Sequence, residues 1–170
     1  MDSNALFGLS ILMNFVALAI TTKLYVLPRL RALDQREALL SLVTPHMFRF
    51  IGLSFLVPGV VSASLSPAFA APVAYGDLIA AVLASISTLA LAARVSWATA
   101  SVWVFNVWGT ADLLHAIYLG QISVGIAPGS LGAAFYIPTV VVPALLVLHV
   151  LIFLQLFRRG GHAAAVRREN

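Results

Sequence analysis

Five long apolar segments follow one another along this chain, and the positive charges fall at only one set of alternate segment ends. Cytoplasmic loops of membrane proteins carry an excess of Lys and Arg. The pattern therefore predicts an all-α integral membrane bundle of five transmembrane helices, with the N-terminus outside and the C-terminus in the cytoplasm. All ten cationic residues fit the pattern: Lys23, Arg29, Arg31, Arg36, Arg49, Arg94, Arg158, Arg159, Arg167 and Arg168.

The composition excludes a soluble globular domain. Of the 170 residues, 61% are hydrophobic and 9% are charged, and the mean hydropathy is +1.00, whereas soluble domains carry about a quarter charged residues. The absence of cysteine excludes disulfides, thiolate metal sites and thiol nucleophiles. The basic pI of 10.1 comes from the segment ends, so we expect contact with anionic lipid headgroups and no binding of nucleic acid.

Spans of about 20 residues use nearly the whole chain, which therefore forms a single transmembrane domain over residues 1–170. The sequence before the first span lacks the positive region of a signal peptide, so we expect this span to remain as a helix. A basic cytoplasmic tail is expected at 158–170. The predicted spans are about 5–27, 46–65, 75–93, 97–119 and 130–157.

Local signals suggest where these helices begin, end and bend. The first span is predicted to stop at Pro28, and residues 38–43 to form a short interfacial helix before the second. Thr44-Pro45 is typical of a helix start, and Pro58-Gly59 is expected to kink the second span. Residues 66–72 are interpreted as a turn rich in Pro and Ala.

Small residues recur every fourth position in the third span, at Ala80, Ala84, Thr88 and Ala92. Because lipid provides no hydrophobic drive between helices, faces of small residues support close packing in membranes. We therefore expect the third span to contact several other helices.

Polar side chains within the spans are the candidate ligand-binding residues, because an ionisable group in the middle of a span costs about 2.5–3.5 kcal/mol on insertion scales. Asp112 and His115 are three residues apart and share one helix face. With Asn14 they are predicted to form an outer polar layer. Asn106 and His149 are predicted to form an inner layer.

Arg49 and His46 are predicted to lie below the inner layer, with Arg49 extending to the headgroups from the start of the second span. Arg49 is interpreted either as an inner-leaflet anchor or as a ligand contact. For Asp112 and His115 the alternatives are a structural pair, a ligand or proton site, and a metal or haem role. A closed metal site needs three or four ligands, so we expect no metal.

Haem b is the one cofactor that the histidines of this sequence could bind, and no other cofactor is expected. His46 and His149 are the candidate axial ligands on the inner side. Their predicted depths differ by about 10 Å, counted at the rise of an α-helix. Axial ligands must face each other across one iron, so this mismatch argues against the pair.

The sequence is compatible with three functions. It assigns no catalytic residue. The leading hypothesis is a multi-pass protein of the bacterial inner membrane that binds or passes a small apolar or weakly acidic ligand, or protons, along the fourth span. The alternatives are an accessory or haem-bearing anchor subunit of a membrane complex, and a lipid- or isoprenoid-modifying enzyme using Asp112 and His115 as acid and base. A homodimer or a partner in a membrane complex is compatible with each.

Residues 44–59, 106–113 and 132–143 resemble one family of small polytopic bacterial membrane proteins, and that resemblance implies no particular activity. The chain is also similar in size and span count to the translocator-protein family, which binds porphyrins and sterols. It lacks the Trp- and Pro-rich pattern of that family, so the similarity implies architecture alone.

Overall fold

The computed structural model describes residues 2–166, with side chains for residues 2–158, and is built from five helical rods without a β-sheet. The side chain of Arg159 and the last four residues, which include Arg167 and Arg168, lie outside this description. The rods are α1 (Ser3–Ala32), α2 (Gln35–Leu56), α3 (Pro67–Ala92), α4 (Ala98–Tyr118) and α5, which comprises Ile137–Val141 and Val142–Val166.

Four of the rods in the described part of the chain are long and apolar enough to cross a membrane: α1, α2, α3 and the Ile137–Arg158 part of α5. The α4 helix has 21 residues and falls outside this set. It carries Asn106, Thr110, Asp112 and His115, which lower its hydropathy. The prediction of an all-helical chain is thus confirmed for the described residues, and four of the five predicted spans correspond to helices long and apolar enough to cross a membrane. The fifth span and the orientation stay predictions.

π-helical turns let two rods continue past prolines. Thr22–Val26 precedes Pro28, and Ile137–Val141 precedes Pro143. A proline removes one N–H from the helix, and a local π turn re-registers the remaining hydrogen bonds. The prediction that the first helix stops at Pro28 is therefore wrong, since α1 runs on to Ala32.

The second rod begins earlier and ends earlier than predicted. Asp34 caps α2 by accepting a 2.8 Å hydrogen bond from the Glu37 N–H, which is the usual role of an N-cap carboxylate. Thr44-Pro45 lies inside the rod, where the α-helix changes to a 3₁₀-helix over Thr44–Leu56. The rod stops before Pro58-Gly59, which ends the helix instead of kinking it.

The 3₁₀ geometry of Thr44–Leu56 sets which side chains point inward. A 3₁₀-helix has three residues per turn, so every third residue lies on one face. In an α-helix, four positions spaced by three would spread over about 180°. The buried residues of this segment follow the 3₁₀ spacing: His46, Arg49, Gly52 and Phe55.

The α3 helix starts at Pro67, so the turn predicted for residues 66–72 is instead the helix start. Ser66 is the N-cap and accepts a hydrogen bond from the Ala68 N–H. Of the predicted stripe of small residues, Ala80 and Ala84 are fully buried. The stripe turns outward beyond them, because a four-residue spacing drifts around a helix with 3.6 residues per turn.

Two apolar cores lie on either side of the buried polar face of α2. One packs around Val43 and contains Val102, Phe105 and Ile152. The other packs around Phe55 and contains Phe69, Leu131, Ala134 and Ile137. The outer surface is also apolar, with large side chains such as Leu24, Phe48 and Val104 more than half exposed, which suits contact with lipid tails.

The cation-bearing ends of the rods meet at one end of the bundle. Arg36 Nε donates to the carbonyl of Leu91 at 2.8 Å, which joins α2 to the end of α3. Gln35 Nε2 donates to the carbonyl of Gln155 at 2.6 Å, which joins α2 to α5. Arg49 is the exception among the described cations, because it lies buried within the bundle.

Asn14 holds α1 against the irregular part of α5. Its Nδ2 donates to the carbonyls of Thr139 and Val140, at 3.1 and 2.9 Å. In an α-helix the Thr139 carbonyl would accept from residue 143, and Pro143 has no N–H. Asn14 therefore satisfies a backbone group that proline frees, where no water is at hand in a bilayer.

Replacing Asn14 by Leu is expected to lower the free energy of unfolding by about 1 kcal/mol, as for other hydrogen bonds between membrane helices. In a Pro143→Ala background the loss should be smaller, because alanine has the backbone N–H that proline lacks. Unfolding in mixed detergent micelles measures both values. Ser10→Ala is the control, since Ser10 bonds only to Leu6 of its own helix, and equal losses in both backgrounds would contradict the assignment.

Candidate functional site

Arg49 is the centre of a buried polar cluster that joins α2, α3 and α4. Its side chain is fully buried, and its Nε donates to Asp77 Oδ1 at 2.8 Å. Its Nη2 donates to Asp112 Oδ2 at 2.6 Å, and its Nη1 donates to the carbonyl of Gly109 at 3.1 Å. Charge-assisted hydrogen bonds of this length are among the strong ones in proteins.

The prediction that Arg49 extends to the headgroups is wrong. That prediction took Thr44-Pro45 as the start of the helix, which would place Arg49 one turn inside the membrane. Because α2 begins at Gln35, Arg49 lies in the middle of the rod, too deep for its side chain to reach the surface.

His149 and Asn106 extend the cluster towards α5. Arg49 Nη1 lies 3.4 Å from His149 Nε2, and because a guanidinium has no acceptor, Nε2 must accept. His149 Nδ1 then carries the hydrogen and donates to Asn106 Oδ1 at 2.7 Å. Asn106 Nδ2 in turn donates to the His149 carbonyl at 3.3 Å, so the predicted inner pair does meet.

We call Arg49, Asp77, Asp112, Asn106 and His149 the Arg49 cluster. With both carboxylates ionised it contains one positive and two negative charges. Within the described residues, no group of three His, Cys, Asp or Glu side chains is arranged to hold a metal ion.

His46 lies beside the cluster without joining it. It is fully buried, and neither of its ring nitrogens has a hydrogen-bond partner among the described residues. Its ring centre is 4.3 Å from that of His149 and 5.0 Å from that of Phe105. The predicted difference in depth between the two histidines is therefore wrong, and a haem between them would require these touching rings to separate.

Glycines leave room for the cluster on three rods, because a Cβ at these positions would collide with its side chains. Such contacts lie well inside van der Waals distance. The pairs are Gly52 with Asp77, Gly76 with Asp112, and Gly109 with both His149 and Arg49.

An apolar cavity of about 540 Å³ opens beside the cluster, between α1, α3, α4 and α5. This volume is within the usual range for small-molecule sites. Asp77 lines the cavity and is its one ionisable side chain. The walls are mainly apolar side chains, which include Phe7, Ile11, Phe15, Leu113, Ala116 and Val142.

Four of the predicted site residues lie together in the Arg49 cluster: Arg49, Asn106, Asp112 and His149. Asp112 of the predicted outer layer is therefore in one network with the predicted inner pair, Asn106 and His149. Asn14 does not join Asp112, because its amide is bonded to α5. His115 is exposed to solvent or lipid and does not contact Arg49. Asp112 instead points into the bundle, so the two side chains do not share one face as predicted.

Asp77 was missed by sequence reasoning because the third span was predicted to begin at Tyr75, which put this carboxylate at the membrane surface. The overlooked signal is Ser66-Pro67, a good N-cap followed by proline at the first helical position. A helix that starts there carries Asp77 roughly 15 Å along its axis. At that depth an ionisable residue requires a partner.

Fold and site together define an all-helical protein with four helices long and apolar enough to cross a membrane, and with a buried arginine–carboxylate cluster beside an apolar cavity. The chain belongs to the family described as a domain of unknown function, DUF8737, whose model matches residues 6–157. No curated protein and no solved structure matches it. These comparisons therefore do not show the similarity to the translocator-protein family.

Removing Arg49 is expected to be the most destabilising single change in the cluster. Arg49→Met leaves two buried carboxylates without their cation, which costs about 3–5 kcal/mol for buried pairs. Adding Asp77→Asn and Asp112→Asn to Arg49→Met should recover most of this loss. Unfolding in mixed micelles tests both, with the exposed Arg29→Met as the control, and a triple variant no more stable than Arg49→Met would contradict the pairing.

Gly76→Ala is expected to lower the thermal stability of the purified protein, because the new methyl group must displace the Asp112 side chain from Arg49. Overpacking of this kind costs about 1–3 kcal/mol. Gly8→Ala is the matched control on α1, since a Cβ there meets nothing within 4 Å. Equal melting temperatures for the two variants would show that the site tolerates the added methyl group.

Proposed function

We propose that this protein binds a small, largely apolar ligand in the cavity between α1, α3, α4 and α5, with the polar end of the ligand against Asp77. The observation that carries the proposal is the position of Asp77, which both lines the cavity and accepts a hydrogen bond from the buried Arg49. A cavity with apolar walls and one fixed polar group is the usual form of a small-molecule site.

The walls of the cavity favour a hydrophobic body for the ligand. Phenylalanine side chains from α1, α2 and α3 line it, together with aliphatic side chains from α1, α3, α4 and α5. Asn4 and Gln121 add polarity near the helix ends. A ligand dissolved in the bilayer can reach such a site without crossing water. Two π-helical turns, Leu119–Ser123 and Ile137–Val141, contribute to the lining, and π turns are frequent at functional sites.

The remaining members of the Arg49 cluster support Asp77 in this proposal. Arg49 fixes the position of the Asp77 carboxylate, while Asp112 and the Gly109 carbonyl hold the guanidinium. Asn106 in turn orients His149 against Arg49. Such a second layer of hydrogen bonds keeps a binding group in place before the ligand arrives.

We further infer that α4 is a fifth span and that the cation-bearing ends of the rods face the cytoplasm of a bacterial cell. Asn106 of α4 is fully buried, and Asp112 bonds to Arg49, so these polar groups are turned away from lipid. The described cations other than Arg49 support the sidedness, because inner loops are rich in Lys and Arg.

Filling the cavity should abolish ligand binding. With the protein in lipid nanodiscs, adamantanol is a suitable compact probe, and isothermal titration calorimetry against empty nanodiscs measures its affinity. Ala116→Trp places an indole in the cavity and should weaken binding at least about tenfold, the equivalent of 1.4 kcal/mol. Ala111→Trp is the matched control on the exposed side of α4.

Two results would contradict the proposal. If adamantanol does not bind the wild-type protein, the cavity is not a ligand-binding site of the proposed kind. Equal affinities in wild type and Ala116→Trp would place the probe elsewhere on the protein.

A further inference from the structure

Asp77 lines the apolar cavity and has one carboxylate oxygen without a hydrogen-bond donor among the described residues. The residue is 5% exposed, and its Oδ1 accepts from Arg49. Its Oδ2 lies against Gly52 of α2 and accepts no hydrogen bond from the described residues, although the polar atoms of a buried residue usually have a partner. A ligand that supplies a donor would complete the site.

The charges around Asp77 do not balance. Arg49 on α2 faces it directly, and Asp112 on α4 shares the same guanidinium. His149 on α5 accepts from Arg49, so its ring is neutral in this network, and the neighbouring His46 has no hydrogen-bond partner among the described residues. His115 lies close enough to act on Asp112, but from an exposed position outside the bundle.

With both carboxylates ionised, the buried site thus carries one excess negative charge. An uncompensated charge inside a low-dielectric bundle is costly, and such a site takes up an opposite charge to neutralise it. A proton on the carboxylate pair is one way to do so. A cation that enters through the cavity is the other.

We propose that the ligand of this cavity is an amine with a compact apolar body, and that it binds as the ammonium ion in exchange for a proton. This inference rests on the proposed ligand-binding function and names the chemical class of the ligand. An acidic ligand would instead bring a third carboxylate to a site with one guanidinium, and like charges placed together are strongly disfavoured.

The exchange conserves charge and protons. In the empty protein, one proton is held by the carboxyl groups of Asp77 and Asp112. When the ammonium ion enters, one of its N–H groups donates to Asp77 Oδ2, and the carboxyl proton leaves for the aqueous phase. One positive charge enters as another departs, so the net charge of the buried site is the same in both states.

Three probes with the same hydrocarbon cage test this inference: adamantylamine, adamantanol and adamantane carboxylate. Each is titrated calorimetrically into the protein in nanodiscs, in two buffers with different ionisation enthalpies, so that proton release is measured directly. We expect the amine to bind at least about tenfold more tightly than the alcohol, as a hydrogen bond to a charged group implies. The carboxylate should bind most weakly, and only the amine should release a proton.

Two variants remove the excess negative charge while Arg49 keeps a carboxylate partner. Asp77→Asn should abolish the tenfold preference for the amine and the proton release, while binding of the alcohol is retained. Asp112→Asn lies outside the cavity lining and should also abolish proton release. If Asp77→Asn does not fold, Asp112→Asn provides the same test of charge.

The outcomes separate this inference from the proposed function. If all three probes bind equally, the cavity takes apolar ligands and the inference is wrong. If the amine binds most tightly but no proton is released, the exchange is wrong. If no probe binds, the proposed ligand-binding function fails, and the inference fails with it.

Discussion

An arginine inside a membrane bundle must find acceptors for its N–H groups within the protein, and this requirement organises the centre of the molecule. Arg49 takes its acceptors from α3, α4 and α5. A buried pair of this kind adds little net stability, whereas loss of one partner is costly. The cluster therefore specifies how the rods align more than it strengthens their packing, and glycines on three rods leave the room it needs.

Three departures from regular α-helix, at Thr44–Leu56, Leu119–Ser123 and Ile137–Val141, contribute residues to the Arg49 cluster or to the cavity. The 3₁₀ segment of α2 aligns His46, Arg49 and Gly52 on one face. Irregular backbone in a membrane is tolerated where its polar groups are satisfied inside the protein. At the π turn of α5, the Asn14 side chain donates hydrogen bonds to the backbone carbonyls of Thr139 and Val140.

Polarity within the spans selected three residues that meet in the cluster, but it also selected Asn14 and His115, which do not join it. Predicted helix boundaries misplaced two further residues. Asn106, Asp112 and His149 were selected because polar residues within a span need partners, and each of them has one. Arg49 was placed at the surface because Thr44-Pro45 was taken as a helix start. Asp77 was overlooked for the same kind of reason, since a late start for α3 placed it outside the membrane.

The sequence by itself determined the class of the protein, an all-helical chain with apolar rods and basic ends. Hydropathy and charge placement are summed over many residues, so the class is correct even when a helix boundary is misplaced by one turn. Only the tertiary structure decided which charges meet. A contact across a bundle depends on the angular position of each side chain, and a 3₁₀ or π segment changes that angle from the value that a regular α-helix implies. The pairing of Arg49 with Asp77 and Asp112, and the cavity beside it, followed from those local changes in helix geometry.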